Sequence, residues 1–227
     1  MKKYFINYAA RGFKNSQQIG LEAAKSFGFN VEGFNENNID ESFYNYYSKH
    51  FQQPRGAGYW LWKPYIIKHK LSTLEKGDYL IYMDSGGKFI KDPTPLLSQI
   101  DKKGFLTFNL NWKDGQWTKG NIFDTLEARE YRYNKMILTG CIMMKKTKAV
   151  EKIIDKWLHY CSYYELVSDT HSVGNFPEFI ENRHDQSIFS LLVHKHGLKN
   201  IPQIDQYRSS HGLFDDEIYI DFHGVRE

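Results

Sequence analysis

The apolar residues of this chain fall into short continuous runs, separated by stretches in which they recur at helical spacing. Tyr4 to Tyr8 reads as a strand that ends at the turn Arg11-Gly12. Ser16 is placed to cap a helix running to about Phe27, with Ile19, Ala23, Ala24 and Phe27 on one face. Val31 to Phe34 predicts a second strand, Asp40 to His50 a helix, and Pro64 opens another reaching about Leu74. Tyr79 to Met83 is apolar throughout, the pattern of a strand covered on both faces. Phe105 to Asn109 and Ile137 to Met144 read as further strands. Thr147 to Tyr160 predicts a helix burying Val150, Ile153, Ile154, Trp157 and Leu158, and Asp185 to His196 another that Gly197 ends.

Strands and helices in alternation predict an α/β sandwich around a mostly parallel sheet. In such sheets ligands bind beyond the carboxyl ends of the strands, so residues just after strands carry the most functional weight. No internal repeat, low-complexity tract or linker interrupts the pattern, so 1–227 reads as one domain.

Composition adds one signal. Aromatic residues make up 16% of the chain, enough both for a core and for a site that stacks bases or sugar rings. The net charge is only +3 and the cations are dispersed, which argues against nucleic acid as partner. Cys141 and Cys161 sit in or beside apolar runs and read as buried free thiols of a reducing compartment. No run approaches the ~20 apolar residues of a membrane span. The amino-terminal run is too short for a signal peptide, so the expected location is cytoplasmic.

Four segments are candidates for chemistry. In Gly77 to Phe89 a buried strand delivers Asp84 at its carboxyl end, followed by Ser85-Gly86-Gly87. A carboxylate there can bind a divalent cation or a ribose hydroxyl, and the glycines allow a ligand close to the backbone. In Gly56 to Tyr65, Trp60 and Trp62 offer stacking faces and Lys63 a cation for phosphate. Arg183 to Ser187 puts five polar residues at the head of an apolar helix, where His184 and Asp185 suit acid–base work. His223-Gly224 near the carboxyl terminus is the fourth. Each has a structural alternative: a turn-capping Asp84, core tryptophans, a helix-capping Asp185 and a surface histidine.

At these residues the chain resembles GT-A glycosyltransferases, and more closely the small glycosyltransferase-like proteins of bacteria and large viruses. Four blocks in order carry the resemblance: GYWLWKPY at Gly58 to Tyr65, GDYLIYMDSG at Gly77 to Gly86, WTKGNIF at Trp117 to Phe123 and RHDQSIFSLL at Arg183 to Leu192. The resemblance implies a GT-A fold with a nucleotide-binding half over about 1–110 and an acceptor-binding half over about 111–227. It implies transfer of a sugar from a UDP- or GDP-sugar to a glycan or other hydroxyl acceptor. Asn7, Ala9 and Arg11 would then lie near base and ribose, and Trp62, Lys63, Asp84, Ser85, Gly86 and Lys119 near the donor's ribose and diphosphate. Gly140, Cys141 and Gln186 would face the transferred sugar and acceptor, with Asp185 and His184 catalytic. A divalent cation, Mn²⁺ or Mg²⁺, would sit on Asp84 and His223.

One departure from the family pattern matters. Gly86 stands where the second Asp of the Asp-X-Asp motif belongs. Either Asp84 and His223 hold a cation with the help of water and phosphate, or Lys63 or Lys119 supplies the counter-charge. The incomplete motif also raises a rival, an inactive module that binds nucleotide or carbohydrate. A nucleotidyltransferase, which opens with a glycine-rich basic loop after the first strand, matches Asn7 to Gly12 poorly.

Overall fold

The computed structural model describes residues 1–10, 12–202 and 220–222. A six-stranded sheet of order β2-β1-β3-β6-β5-β7 organises them. β1 (Lys3–Tyr8) pairs in parallel with β2 (Asn30–Phe34) and β3 (Tyr79–Met83). β6 (Lys135–Lys145) runs antiparallel to β3 and to β5 (Phe105–Lys113), and β7 (Asn200–Pro202) is parallel to β5. Five strands therefore point one way and β6 alone is reversed, which makes the sheet mostly parallel, as the continuous apolar runs predict. A small second sheet pairs β4 (Gly87–Phe89) with β8 (Ile220–Phe222).

Period-2 alternation splits the core into two layers. Ile6, Leu80, Tyr82, Ile142 and Met144 face one side, where the helices Trp62–Thr73, Lys148–Cys161 and Asp185–Lys195 cover them. Phe5, Ile81, Met83, Cys141 and Met143 face the other, against Ala24, Phe29, Phe89 and Leu97. β3 and the middle of β6 are thus buried on both faces, and each fully buried large apolar side chain contributes about 1.5–3 kcal/mol.

Two local expectations are corrected. The first helix spans Lys14–Ser26, so Ser16 lies inside it and does not cap it. Its buried face is Ser16, Gly20 and Ala24, while Ile19 is exposed. Close approach decides this: a Cβ on Gly20 would stand 2.7 Å from the carbonyl oxygen of Gly87. The helix expected over 40–50 is two short ones, Glu41–Tyr46 and Ser48–Phe51. Thr147 does cap its helix, its hydroxyl accepting from the Val150 amide at 3.1 Å. Among the described residues no helix is long and apolar enough to cross a membrane.

Candidate active site

A cleft of about 770 Å³ opens at the carboxyl edge of β1 and β3. Tyr8, Phe13, Tyr44, Phe51, Trp60 and Trp62 give it aromatic walls, and Asp84, Ser85 and Gly86 line it at the end of β3. Tyr8 and Trp62 stack at 3.8 Å with their planes 15° apart. The lining residues include two carboxylates, Asp84 and Glu36, and no lysine, arginine or histidine among the described residues.

Beside Trp60 the backbone is unusual. Gly56, Ala57, Gly58, Tyr59 and Trp60 all have positive φ, at 60°, 48°, 102°, 52° and 58°. This is a turn of left-handed helix, closed by the Tyr59 amide on the Arg55 carbonyl at 2.9 Å and the Trp60 amide on Gly56 at 3.2 Å. Left-handed conformation costs about 1–2 kcal/mol at each non-glycine residue. The surroundings offset that cost. The Trp62 indole donates to the Gly56 carbonyl at 2.9 Å, and Arg55 pairs with Glu181 and Asp169. Gly56 is required because a Cβ there would meet the Trp60 ring at 2.3 Å.

Behind Asp84 lies a buried ionic cluster. The Lys63 ammonium stands 3.1 Å from Asp84 Oδ1 and 3.5 Å from Asp185 Oδ2. The Lys63 and Asp185 side chains are 2% and 4% exposed, whereas that of Asp84 is 42% exposed. The Tyr82 hydroxyl also donates to Asp84 Oδ1, at 2.5 Å. Tyr82 and Asp84 share a face because they are two residues apart at the end of one strand. Thr139 Oγ1 lies 3.5 Å from Lys63 and donates to Gln186 Oε1 at 3.3 Å. The reversed strand β6 thereby ties Lys63 to the helix that carries Asp185.

Charge follows burial here. Desolvation opposes a charge on Lys63, but Asp185 and Asp84 outweigh it and hold the ammonium above its usual range. Burial pushes Asp185 up to about 6, against the pull of Lys63 and with the charge of Asp84 adding. The two shifts are compatible. The enclosed Asp185 takes up a proton on acidification, and above that range its carboxylate pairs with Lys63. Burial, then Asp84, raises the Tyr82 phenol well above its usual range, so it remains a donor.

The sequence-predicted residues divide into three groups. Trp62, Asp84, Ser85 and Gly86 line the cleft. Lys63, Gly140, Asp185 and Gln186 stand behind Asp84. The Gly140 carbonyl accepts from the Asp84 amide at 2.9 Å, and Gln186 accepts from Thr139. Asp185, expected to take the acceptor's proton, does not line the cleft.

The third group faces elsewhere. His184 is buried behind the left-handed turn, stacked on Tyr59 and Trp60, with Nδ1 2.6 Å from the Val167 carbonyl. Burial lowers its pKa, so it is neutral and bonded inside the fold. Lys119 is also buried, its ammonium on the carbonyls of Glu165 and Ser168 and away from the cleft. Asn7 points at the first helix, donating to the Gln17 carbonyl at 3.1 Å, and Ala9 is buried. Cys141 lies in the opposite core layer. Arg11 and His223 lie outside the described residues.

Trp60, expected to offer a stacking face, lines the cleft, whereas Tyr8, Glu36 and Tyr82 belong to the site and were not singled out as its residues. Tyr8 and Tyr82 were within reach of strand periodicity, but nothing local marks Glu36.

Among the described residues no three His, Cys, Asp or Glu side chains converge as a metal cage. One oxygen nevertheless suits a cation. Asp84 Oδ1 is engaged by Lys63 and Tyr82, while Oδ2 lies on Gly140, whose missing Cβ would be 3.2 Å from it. The Asp84 side chain is half-exposed, and a carboxylate of that kind fits a hard cation that takes its other ligands from water and phosphate.

No protein-family model and no curated protein matches the chain. Solved structures do. The glycosyltransferase GlyE of Streptococcus pneumoniae TIGR4, in its apo form, superposes over 90% of this chain at a TM-score of 0.50 and 10% identity. The bifunctional glycosyltransferase WbbM superposes over 89% at 0.54 and 11% identity. The chain spans 46% and 39% of those two proteins. At such identity the likeness concerns the fold: this chain has the mixed α/β, GT-A-like fold of these glycosyltransferases, with a mostly parallel central sheet.

Proposed function

We propose that the protein transfers a sugar from a nucleoside-diphosphate sugar, with UDP or GDP as the leaving group, to a glycan or other hydroxyl acceptor. The observation that carries this reading is the cleft: aromatic walls meet a half-exposed carboxylate at the carboxyl edge of a GT-A-like sheet. Aromatic faces suit a base, and the Asp84-Ser85-Gly86 turn suits ribose and diphosphate, because Gly86 adds no side chain where the phosphates approach. Residues 1–110 supply the nucleotide side, and 111–227 the acceptor side.

With two carboxylates and no cation among the described lining residues, a diphosphate would be repelled unless its charge is met. Asp84 would hold a divalent cation, which would supply positive charge for the leaving diphosphate. Ser85 offers a hydroxyl beside Asp84, and the aromatic walls flank them in the same cleft.

The test is a thermal-shift panel of nucleotide-sugars and nucleoside diphosphates, in EDTA and in Mn²⁺. A ligand at 100 times its Kd adds about 2.7 kcal/mol of stability, so a donor would register clearly. A panel with no response to any nucleotide would refute the proposal. Gly86 at the second Asp position favours one rival, the inactive binding module. Slow donor hydrolysis by the parent protein supports the enzyme, and binding without any turnover supports the module.

A further inference from the structure

We propose that Lys63 is a positioning residue: its buried ammonium, braced by Asp185, clamps Asp84 Oδ1 and so aims Asp84 Oδ2 at the cation that accompanies the donor diphosphate. This rests on the reading of the cleft as a nucleoside-diphosphate site. It gives Lys63 a different part from that of a direct phosphate ligand, and Asp185 a different part from that of the acceptor's base.

Geometry supports it at each link. Lys63 is 2% exposed and does not line the cleft, so the group through which it touches the cleft is Asp84. It follows Trp62, whose ring lines the cleft, and lies near the start of the Trp62–Thr73 helix, so its backbone is fixed by the same helix. Two donors, Lys63 and Tyr82, converge on one oxygen of Asp84 and leave the other facing glycine. Asp185 is held by its own backbone as well, its carbonyl accepting from the Trp157 indole at 2.9 Å. The ammonium therefore sits between a fixed carboxylate and a half-exposed one, and the half-exposed one takes its orientation from it.

Charge arithmetic gives a clean variant. Lys63, Asp84 and Asp185 together carry one positive and two negative charges, a net of about −1 when all are ionised. Lys63→Met with Asp185→Asn leaves Asp84 alone, again −1. The double variant therefore keeps the cluster's charge and removes only the clamp.

The measurement is calorimetric titration of UDP and GDP into parent and double variant, in EDTA and in Mn²⁺, read as the ratio of the two dissociation constants. Loss of fold quality would weaken binding in both buffers and leave the ratio alone. The expected parent ratio is at least tenfold in favour of Mn²⁺. The double variant's ratio should fall at least fivefold, with affinity in EDTA within about twofold of the parent.

A double variant that keeps the parent's ratio overturns the proposal, and so does a parent ratio of one. A parent that binds neither nucleotide in either buffer refutes the underlying function instead. Should the double variant fail to fold, Lys63→Gln with Asp185→Asn removes the ammonium with the same charge arithmetic and keeps a polar group in its place. It should lower the ratio about threefold, and an unchanged ratio there overturns the proposal.

Discussion

Lys63 and Lys119 are both 2% exposed, and their surroundings treat the ammonium in opposite ways. Lys63 has two carboxylates within 3.5 Å, which hold its pKa up. Lys119 has only the carbonyls of Glu165 and Ser168, and burial pulls its pKa down to about 8 although Asp169 and Glu165 oppose the fall. A carbonyl dipole satisfies the hydrogens of a buried ammonium without returning the solvation lost by its charge. The difference teaches which lysine belongs to a site. Lys63 is wired to the carboxylate that lines the cleft, while Lys119 staples two stretches of backbone together.

The largest effect that would sharpen this contrast is on stability. Lys63→Met alone leaves Asp185 buried beside Asp84 with no counter-charge, and should cost about 3–5 kcal/mol. Adding Asp185→Asn should recover most of that loss. Urea denaturation of the three proteins at pH 7.5 gives the comparison. Equal stability of the single and double variants would break the account of the cluster.

Next in size is the pH dependence that Asp185 confers. Its pKa rises from 3.8 to about 6 on folding, so the folded state holds a proton that the unfolded state has released. The sign follows: Asp185 contributes most below pH 4, and that contribution is lost as pH climbs to 6 and beyond. The loss is on the order of 3 kcal/mol. Melting curves of the parent at pH 4 and pH 8 should show most of it, and Asp185→Asn should flatten the difference.

Lys119 should move the other way. Its folded pKa lies below that of the unfolded chain, so the unfolded state binds the extra proton and stability rises with pH above 8. Between pH 8 and 9.5 the gain is roughly 2 kcal/mol, and Lys119→Met should abolish it without altering nucleotide affinity. An effect of that variant on nucleotide binding would erase the distinction between the two lysines.

The smallest expected effect lies in the left-handed turn. Ala57 has φ 48°, and Ala57→Gly should stabilise the protein by about 1 kcal/mol, measured as a rise in Tm.

Much of this was legible in the sequence, and what escaped did so for physical reasons. The apolar run Tyr79–Met83 announced a buried strand, and that strand delivers Asp84 to the cleft. Strand direction leaves no trace in periodicity, so the reversal of β6 was not readable. The helix at Asp185 was visible, but its polar head read as a place for acid–base work, because the lysine that pairs with Asp185 is far away along the chain. The first helix misled because hydropathy favours Ile19 as a core residue, whereas close backbone approach selects Gly20. The turn at Gly56–Trp60 contradicts the local preference of three of its five residues, and only the two glycines hinted at it.

The central claim is that the cleft holds a nucleoside diphosphate with its phosphates at Asp84. It is tested most directly by crystallising the protein with UDP or GDP and Mn²⁺ and locating manganese by its anomalous signal. The account predicts a manganese peak in contact with Asp84 Oδ2, the diphosphate beside Ser85 and Gly86, and the base among the aromatic walls. A nucleotide bound with its phosphates away from Asp84, or outside this cleft altogether, would contradict it.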